Sequence, residues 1–440
     1  MSTDYVIVGS GVAGIAAAET LRAHVPGATI TLISEDPAGF YSRPGLAYYL
    51  TGVIPDKQLF PQSAEALRAL NLKWIQARVE RIDTQACCLV LADKRRVPYD
   101  RLLLATGARA AAPDFPGGEL DGVVTLDTYD DARRLVQRAR RGTHAVVVGG
   151  GITAVELAEG LHARGCHVHY LLRGARYWAN LLDAEESELI EGRLRADGIE
   201  IHYHTRIRQA VGTGGRLTAV ETETGTQIPC KILAVAIGTR PRLELARTAG
   251  VTTDRGILAD QFLKTNVPNI FAAGDVAQVY DPLTGQATLD TLWPTARAHG
   301  VVAAMNMAGT PTIYQRTVAA NVTLLAGLPT TIIGVLGGAN DDDLVAIARG
   351  NSETWLATVP TWVVVERHDV NRIRLMLGDR AINGALIIGD QTLARPLQRM
   401  IDAQADITAI RADLLAPGAD VLTLLHRFWT EWEAAHGPDS

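Results

Sequence analysis

Two glycine-rich segments in the 440-residue chain have the spacing that binds phosphate groups. The first is Gly9-Ser10-Gly11-Val12-Ala13-Gly14, which follows an apolar run at residues 5–8 and precedes an alanine-rich segment of helical character. In a strand–turn–helix unit, the first glycine permits the tight turn, the second lets the backbone approach a pyrophosphate, and the third lets helix and strand pack closely. The helix start supplies free N–H groups and the positive end of the helix dipole. The segment therefore predicts a dinucleotide site.

An acidic residue stands where a unit of this type holds a ribose. A second apolar run ends at Glu35, which lies 21 residues after Gly14. A carboxylate at this distance accepts hydrogen bonds from ribose hydroxyl groups. A glycine-rich turn in an ordinary α/β domain is the alternative, but strand, helix and distal acid together favour dinucleotide binding.

The same pattern recurs 140 residues later. Gly149-Gly150-Gly151-Ile152-Thr153-Ala154 follows the apolar run at 145–148 and precedes a helical segment and a further apolar run. Both units carry every element of the pattern, so we expect two bound dinucleotides. One dinucleotide and an inactive duplicate is the alternative.

Comparison of the two units predicts which nicotinamide nucleotide the second one prefers. When their closing strands are aligned, Arg173 falls where the first unit has Glu35. A guanidinium suits a 2′-phosphate, which it grips with charge-assisted hydrogen bonds, and Arg176 is expected to add a second contact. We therefore expect a slight preference for NADPH over NADH. Both arginines as solvated loop charges, with NADH bound through its pyrophosphate, is the alternative.

Three further motifs follow in the order found in one flavoprotein family. They are Leu103-Leu104-Ala105-Thr106-Gly107-Ala108-Arg109, Val235-Ala236-Ile237-Gly238-Thr239-Arg240-Pro241 and Asn269-Ile270-Phe271-Ala272-Ala273-Gly274-Asp275. With the two glycine motifs, they make almost the whole chain resemble the FAD-dependent pyridine-nucleotide oxidoreductases. That family includes disulfide reductases, NADH oxidases, ferredoxin and rubredoxin reductases, and the flavin module of nitrite reductases. The motifs are much more specific for the family than for a reaction within it.

The resemblance implies which segments hold each cofactor. The first glycine motif is expected to bind FAD and the second NAD(P)H. Asp275 matches an aspartate that hydrogen-bonds the ribityl chain of the flavin, and Val79 matches a position whose backbone meets the adenine. The helix that starts at Trp293-Pro294 is expected to point its N-terminus at the flavin ring. The motifs quoted above supply the other expected cofactor contacts: Ala105, Thr106, Gly107, Arg109, Gly238 and Gly274.

The resemblance also implies an α/β architecture with two Rossmann-like domains. Residues 1–112 and 242–314 are expected to form a split FAD-binding domain, interrupted by an NAD(P)H-binding domain at 113–241. Residues 315–440 are expected to form a C-terminal α+β domain with a helical tail, since apolar residues recur there at helical spacing. The tail is expected to pack on the body of the protein or on a neighbouring subunit. The second alternative implies a homodimer.

The redox thiol used by part of this family is missing. In the single-cysteine branch the thiol lies in a segment resembling N-C-G-L-P-Y-Y, and the matching segment here is Arg43-Pro44-Gly45-Leu46-Ala47-Tyr48-Tyr49. Pro44 takes the place of the cysteine, and proline forms neither a thiolate nor a mixed disulfide. The chain has four cysteines, without CxxC or iron–sulfur spacing, which we interpret as small core or surface residues: Cys87, Cys88, Cys166 and Cys230.

Arg43 and Glu156 are the candidate catalytic side chains beside the flavin, and Pro44 is expected to contact the cofactor too. The segment at 41–44 resembles ferredoxin- and rubredoxin-type reductases, which also lack the thiol. In several of those proteins a lysine at the position of Tyr48 pairs with the glutamate that matches Glu156. This chain lacks that lysine, so Arg43 is the nearest candidate to neutralise Glu156. A solvated loop cation is the alternative for Arg43.

No metal site is expected. His202 and His204 lie two apart in a predicted strand and so share a face, but no third ligand follows at a suitable spacing, which favours an ordinary sheet surface. The acidic run at 341–343 has no calcium-loop pattern around it and is predicted to be a solvated turn.

Composition and charge exclude several classes of protein. The formal net charge of −6 argues against a general nucleic-acid binder, whose phosphate contacts need a basic face. No apolar run reaches the roughly 20 residues of a membrane helix, and the N-terminus lacks the features of a signal peptide. We expect a cytoplasmic, multi-domain protein that binds neither nucleic acid nor membrane.

These features together predict an FAD-dependent NAD(P)H oxidoreductase without a redox-active disulfide. With no thiol relay, electrons would pass from the flavin to a separate redox partner such as a ferredoxin, a rubredoxin or an iron–sulfur subunit. An NAD(P)H oxidase or quinone reductase of the same fold is the first alternative. A flavin-bound redox sensor or assembly subunit, in which turnover is incidental, is the second.

Overall fold

The structure, a computed structural model, describes residues 3–281, 285–336, 362–368 and 371–437. The acidic run at 341–343, which we predict to be a solvated turn, lies outside the described residues. Three five-stranded sheets, with smaller sheets between them, organise the described part of the chain.

The first five-stranded sheet is entirely parallel. Its strands are β1 (Asp4–Val8), β2 (Thr29–Ser34), β3 (Lys73–Gln76), β7 (Arg101–Leu104) and β19 (Ile270–Ala272). They lie in the order β19-β7-β1-β2-β3. Residues 5–8 of β1 are all buried, which is why that run is continuously apolar instead of alternating.

The second five-stranded sheet repeats this parallel arrangement. Its strands are β9 (Val123–Val124), β10 (His144–Val148), β11 (His167–Leu171), β12 (Glu200–His202) and β16 (Ile232–Val235). They lie in the order β12-β11-β10-β16-β9, so β12 is an edge strand. The two parallel sheets confirm the predicted α/β class with Rossmann-like units.

Two short strands carry the chain out of the first sheet region and back. β8 (Ala108–Ala110) and β17 (Thr239–Pro241) pair antiparallel, with Arg109 opposite Arg240. All strands of the second sheet fall between these two crossings. The exact domain limits that we predict, 113–241 for the inserted unit, remain a prediction.

The third five-stranded sheet is antiparallel and lies near the end of the chain. Its strands are β22 (Ala320–Leu325), β23 (Leu328–Gly334), β24 (Trp362–His368), β25 (Asn371–Leu377) and β26 (Ile382–Ile388). Arg374 of β25 is buried and its Nε donates to Glu186 Oε1 at 2.8 Å. This buried ion pair connects the third sheet to the chain segment between β11 and β12.

Smaller antiparallel and mixed sheets fill the connections between these layers. Their strands are β4 (Val79–Asp83), β5 (Cys88–Leu91), β6 (Arg96–Pro98), β13 (Ile207–Thr213), β14 (Arg216–Thr222), β15 (Gln227–Pro229), β18 (Ile257–Ala259), β20 (Ala277–Asp281) and β21 (Gln286–Leu289). The β13–β15 sheet packs on one face of the second sheet through apolar side chains that include Leu217, Val220 and Ile228.

The helices are α1 (Val12–His24), α2 (Gly45–Thr51), α3 (Ala64–Ala69), α4 (Tyr129–Arg138), α5 (Ile152–Ala163), α6 (Ala184–Ala196), α7 (Glu244–Thr248), α8 (Trp293–Met307), α9 (Ala394–Asp402), α10 (Thr408–Leu414) and α11 (Val421–His436). In the tail, Trp429 and Trp432 of α11 stack on each other, and the guanidinium of Arg399 lies over both rings. Over the described ranges, no helix is long and apolar enough to cross a membrane.

Candidate functional site

A cavity of about 820 Å³ opens at the carboxyl ends of all five strands of the first sheet. In a doubly wound parallel sheet, this edge is where ligands bind. Most residues predicted to contact the flavin line the cavity: Gly9, Gly11, Val12, Ala13, Glu35, Arg43, Pro44, Val79, Ala105, Thr106, Gly107, Arg109, Gly274, Asp275 and Trp293. The structure therefore brings together segments that lie far apart in the chain.

The three glycines of the first motif differ in what surrounds them. Gly9 has φ +115°, and a Cβ added there would lie 2.1 Å from the carbonyl oxygen of Ala105, so strand and loop approach closely. A Cβ at Gly14 would lie 2.0 Å from the Gly9 oxygen, which explains the close packing of α1 on the turn. A Cβ at Gly11 would meet nothing within 4 Å. Gly11 thus borders open space, which fits a pyrophosphate approaching the backbone.

Three helices begin without a side-chain cap at positions where a ligand could bind. Two of them, α1 and α5, start at the glycine motifs, and the third, α8, starts at the cavity. α1 starts after Gly11, α5 after Gly151 and α8 after Leu292, each without a side-chain cap. By contrast, capping boxes at Thr128 and Asp183 close the first turns of α4 and α6. Uncapped N–H groups at a helix start, with the helix dipole behind them, favour an anionic group. The starts of α1 and α8 both line the cavity.

One arginine links two acidic groups at the cavity wall. Nη1 of Arg242 lies 3.4 Å from Oε1 of Glu35, and its Nη2 lies 3.4 Å from Oδ2 of Asp127. Asp127 is buried, whereas the Glu35 side chain keeps 54% of its exposure. Arg242 therefore fixes the carboxylate that we predict to hold the ribose.

The sequence predicts that Arg43 neutralises Glu156, but in the structure Arg43 contacts Asp127. Its Nη1 donates to the backbone oxygen of Asp127 at 2.8 Å and lies 3.6 Å from Asp127 Oδ1. Its guanidinium also lies over the Tyr41 ring, 5.5 Å from the centroid. Burial lowers the pKa of Arg43, but neighbouring Tyr41 and Asp127 more than offset this, so the pKa is raised and the side chain stays charged.

Glu156 lies near Tyr48 instead. Burial raises the pKa of the Tyr48 hydroxyl, and the Glu156 carboxylate raises it further, which places the two side chains in each other's field. Glu156 does not line the cavity of the first motif. Its predicted catalytic role remains a prediction.

Three other segments bring expected flavin contacts to the cavity: β8, the turn after β19 and the start of α8. Asp275 stands in a short 3-10 turn just after β19, and Gly274 beside it has φ +76°. Trp293 starts α8 and stacks on Phe40 with ring centroids 6.0 Å apart, while Pro294 occupies the first turn. Arg109 forms an ion pair with Glu244 at the cavity wall.

The second glycine motif has the same local geometry but does not line this cavity. Gly149 has φ +150°, and a Cβ there would lie 2.2 Å from the Ala236 oxygen. A Cβ at Gly150 would meet nothing within 4 Å. Ile152 begins α5, and the small Ala154 side chain is fully buried against the turn, where the first motif has a glycine. The loop is thus built to receive a second phosphate-bearing ligand.

Two arginines follow strand β11, and they differ in their surroundings. Arg173 is exposed just beyond the strand end, as the comparison with Glu35 predicts. Arg176 instead turns inward, and its Nη2 donates to the backbone oxygen of Ala179 at 3.1 Å. The expected second contact to a 2′-phosphate is therefore weakened, because this guanidinium already holds its own loop together.

All four cysteines are described, and none lines the cavity. Cys88, Cys166 and Cys230 are buried, and burial raises the pKa of Cys166 to about 11 and that of Cys230 to about 12. Cys166 and Cys230 therefore stay protonated thiols at neutral pH and are poor nucleophiles. Pro44, at the position of the family's redox cysteine, does line the cavity.

The fold assembles two groups of residues that the sequence patterns do not predict. Asp127 and Arg242 join the cavity wall from segments 115 residues apart, without a local motif to signal them. His202 does have further potential ligands nearby, because His169 and Glu200 lie beside it on the second sheet. No third ligand follows His202 and His204 in the sequence; the two residues that the fold places beside His202 both precede it, and His204 lies outside this group.

The first cavity fits FAD by its shape and chemistry. It offers an open cradle at Gly11, the N-terminus of α1 for a pyrophosphate, the N-terminus of α8 for the flavin ring and a carboxylate at Glu35 for a ribose. Together with the second glycine loop, these features define a protein with two dinucleotide-binding units in one chain.

Comparison with known proteins agrees with that class. The family model described as pyridine nucleotide-disulphide oxidoreductase matches residues 3–300. The 3-phenylpropionate/cinnamic acid dioxygenase ferredoxin–NAD(+) reductase component of Photorhabdus laumondii is 32% identical over 307 residues, covering 69% of this chain and 77% of that protein. Rubredoxin–NAD(+) reductase of Ectopseudomonas oleovorans is 30% identical over 311 residues, covering 70% and 80%.

Solved structures show the same fold. A ferredoxin reductase of Rhodopseudomonas palustris superposes with a TM-score of 0.83 at 24% identity, over 96% of this chain and 99% of that chain. The chain belongs to the pyridine nucleotide-disulphide oxidoreductase family. It is an oxidoreductase of the flavin- and pyridine-nucleotide-dependent class.

Proposed function

We propose that this protein takes electrons from a reduced pyridine nucleotide and passes them, through FAD, to a separate iron–sulfur protein. The observation that carries the proposal is the position of Pro44, which lines the cavity where a thiol-dependent relative would place its redox cysteine. Since no cysteine lines the cavity, a route through a protein disulfide is missing. The related ferredoxin–NAD(+) and rubredoxin–NAD(+) reductases support a protein acceptor.

The residues that line the cavity of the first sheet would hold FAD. Gly11 and the start of α1 would receive the pyrophosphate, Glu35 the adenosine ribose, and Asp275 the ribityl chain. When bound, FAD supplies the chemistry that accepts a hydride from the nicotinamide and releases electrons to the acceptor. The chain's own part is to bind and orient both cofactors, with Arg43 held as a fixed positive charge by Asp127.

Each cofactor is proposed to bind a separate unit of the chain. We propose residues 1–112 and 242–314 as the FAD-binding unit, residues 113–241 as the pyridine-nucleotide unit and residues 315–440 as the C-terminal domain. The pairing of β8 with β17 supports the limits near 112 and 241, because these two strands lie side by side where the chain leaves the FAD-binding unit and returns to it.

We further propose that the pyridine-nucleotide unit prefers NADPH through Arg173. The supporting feature is an exposed guanidinium where the FAD unit has Glu35, and one charged contact to a 2′-phosphate contributes about 1.5–3 kcal/mol. Arg176 adds little, because Ala179 and Leu182 already accept from its guanidinium. The related enzymes carry NAD(+) in their names, so NADH is the competing substrate.

The nucleotide preference is tested with Arg173→Glu and a matched control, Arg427→Glu, which makes the same charge change on exposed α11. If Arg173 grips the phosphate, its loss should weaken NADPH about ten- to a hundredfold and leave NADH little changed. The measurement is flavin bleaching against nucleotide concentration. Equal rates with both nucleotides in the parent, unaltered by Arg173→Glu, would remove the proposal while leaving the reductase function intact.

The reductase function itself is tested by acceptor choice. The FAD-loaded protein is given NADH or NADPH without oxygen, and reduction of a plant-type ferredoxin, a rubredoxin or a benzoquinone is followed. The proposal expects an iron–sulfur protein to be reduced fastest. Faster reduction of the quinone, or of oxygen in an aerobic control, would establish an oxidase or quinone reductase instead. Absence of any flavin bleaching would favour the redox-sensor alternative.

A further inference from the structure

Four histidines and a glutamate gather on one face of the second sheet. His144 begins β10, His167 and His169 are the first and third residues of β11, and Glu200 and His202 are the first and third of β12. In the strand register His144 lies opposite His167, and His169 opposite Glu200. His144 and His167 begin their strands, whereas His169 is the middle residue of β11 and His202 is the last residue of β12. None of these five residues lines the cavity of the first sheet or belongs to the glycine loop at 149–154, so the cluster is distinct from both.

Three of these side chains converge on one point. Nδ1 of His169 lies 3.1 Å from Nε2 of His202. The Glu200 carboxylate lies 3.2 Å from that His169 nitrogen through Oε2 and 3.3 Å from the His202 nitrogen through Oε1. The three groups thus form a triangle in which the two contacts of Glu200 use different oxygens of its carboxylate. With one ligand atom from each residue, the three atoms lie within 4.8 Å of one another.

This triangle has the size that a tetrahedral metal site requires. Zinc bonds to histidine nitrogen and carboxylate oxygen are about 2.0–2.1 Å long, which sets neighbouring ligand atoms about 3.3–3.4 Å apart. The observed separations of 3.1–3.3 Å need only a slight opening to accept the ion. Two imidazoles and one carboxylate also form a donor set typical of zinc and related transition ions.

The backbone holds these ligands in place before a metal arrives. His169 and Glu200 are partners in the parallel ladder between β11 and β12, so their separation is set by strand pairing and not by loop conformation. The His169 and His202 side chains keep 18% and 27% of their exposure, while Glu200 keeps 62%. An ion can therefore enter from solvent on the Glu200 side, and water can fill the fourth position.

Two further histidines flank the proposed ligands on the same face of the sheet. The rings of His144 and His169 stack with centroids 6.0 Å apart, and the centroid of the His144 ring lies 5.0 Å from that of His167.

We propose that His169, Glu200 and His202 bind a divalent transition-metal ion of the zinc type, which fastens edge strand β12 to β11. A single bound ion would join three side chains from two strands. The site would stabilise the pyridine-nucleotide unit at the edge of its sheet. A shared proton between His169 and His202, forming an ordinary hydrogen bond, is the competing account of the same 3.1 Å contact.

The test measures zinc bound to the whole FAD-loaded protein, prepared without a histidine tag. After EDTA treatment and desalting, the protein is dialysed against micromolar Zn²⁺, and bound zinc is counted against FAD. We expect one zinc per chain in the parent and in the control His426→Gln, which removes an exposed histidine on α11. The double variant His169→Gln/His202→Gln should hold no zinc at that concentration. Zinc should raise the unfolding temperature of the parent and not that of the double variant.

Two outcomes would overturn the proposal. One is a parent protein that binds no zinc at micromolar concentration, and the other is a double variant that binds as the parent does, which would mark adventitious surface binding. If the double variant does not fold, Glu200→Gln decides, because that side chain is largely exposed and its loss should not disturb folding. We expect Glu200→Gln to weaken zinc binding at least about tenfold. Unchanged affinity in that variant would contradict the site.

Discussion

The guanidinium of Arg242 lies 3.4 Å from the carboxylate of Glu35, although 207 residues separate them in the chain. The contact joins the acid at the end of β2 to the segment that follows β17. It fixes the orientation of a carboxylate that faces the cavity, and it places a positive charge at the site proposed for FAD. The returning chain thus completes a site that the first glycine motif begins.

Arg242→Leu is expected to weaken FAD binding without abolishing it. The Arg242–Glu35 pair is partly exposed, and exposed ion pairs contribute about 0.2–1 kcal/mol, so the dissociation constant should rise about 1.4- to fivefold. Titration of the flavin-free protein with FAD measures this. Arg208→Leu, on the exposed surface of β13, is the control and should bind FAD as the parent does. Unaltered affinity in Arg242→Leu would show that the pair has no part in the site.

Gly11→Glu is expected to abolish FAD binding. The structure leaves open space at this position, which the pyrophosphate is proposed to occupy, and a carboxylate there would add both bulk and negative charge. Gly27→Glu is the matched control, since a Cβ at Gly27 also meets nothing within 4 Å but the residue does not line the cavity. The FAD content of the two purified variants is compared. Full flavin content in Gly11→Glu would refute the assignment of the first motif.

A variant without cysteine should still be reduced by the pyridine nucleotide. Replacement of all four residues by alanine removes thiols that lie away from the cavity and are mostly buried. Its flavin should bleach at close to the parental rate in anaerobic stopped-flow mixing. FAD content reports whether the variant is folded. A folded, FAD-loaded variant with a collapsed rate would mean that a thiol takes part.

Glu159 is expected to make the stability of the protein depend on pH. Burial raises the pKa of this carboxyl from 4.5 to about 7, although the backbone N–H of Ala326 donates to it at 3.2 Å and lowers the value. The folded state therefore holds the proton more tightly than the unfolded chain. The stabilisation is complete below about pH 4.5 and is lost as the pH rises through about 7.

Glu159→Gln should remove that dependence, because glutamine stays neutral and its side-chain oxygen can still accept from Ala326. The unfolding midpoint of the variant relative to the parent should rise between pH 5 and pH 8. Glu119→Gln, at an exposed position, provides the control and should show a constant difference. A Glu159→Gln difference that does not change with pH would place the pKa of Glu159 near its ordinary value.

Much of the fold follows from local sequence patterns. The glycine motifs set close contacts within a few residues of themselves, such as the packing of Gly14 on Gly9, and each follows a buried apolar strand. For that reason both parallel sheets and the helices α1 and α5 could be predicted. The sequence also predicts that the redox thiol is absent, because this depends only on the residue at position 44 within a short segment.

Contacts between distant segments could not be predicted in the same way. The sequence predicts Arg43 beside Glu156, but Asp127 binds it, since the packing of α2 against the start of α4 decides its partner. The grouping of His169 with Glu200 depends on the register between β11 and β12. His204, although two residues from His202, lies beyond the strand end with φ 49° and so leaves the shared face.

The most direct test of the account is a double-mixing stopped-flow experiment on the FAD-loaded protein. Anaerobic mixing with NADH or NADPH first bleaches the flavin absorbance, and a second mix adds either an oxidised iron–sulfur protein or oxygenated buffer. The account predicts that the absorbance returns much faster with a ferredoxin or a rubredoxin than with oxygen, in the parent and in the cysteine-free variant alike. If the flavin absorbance returns equally fast with oxygen alone, electron transfer from this cavity to a separate iron–sulfur partner is contradicted. The same holds if the absorbance returns in the parent but not in the cysteine-free variant.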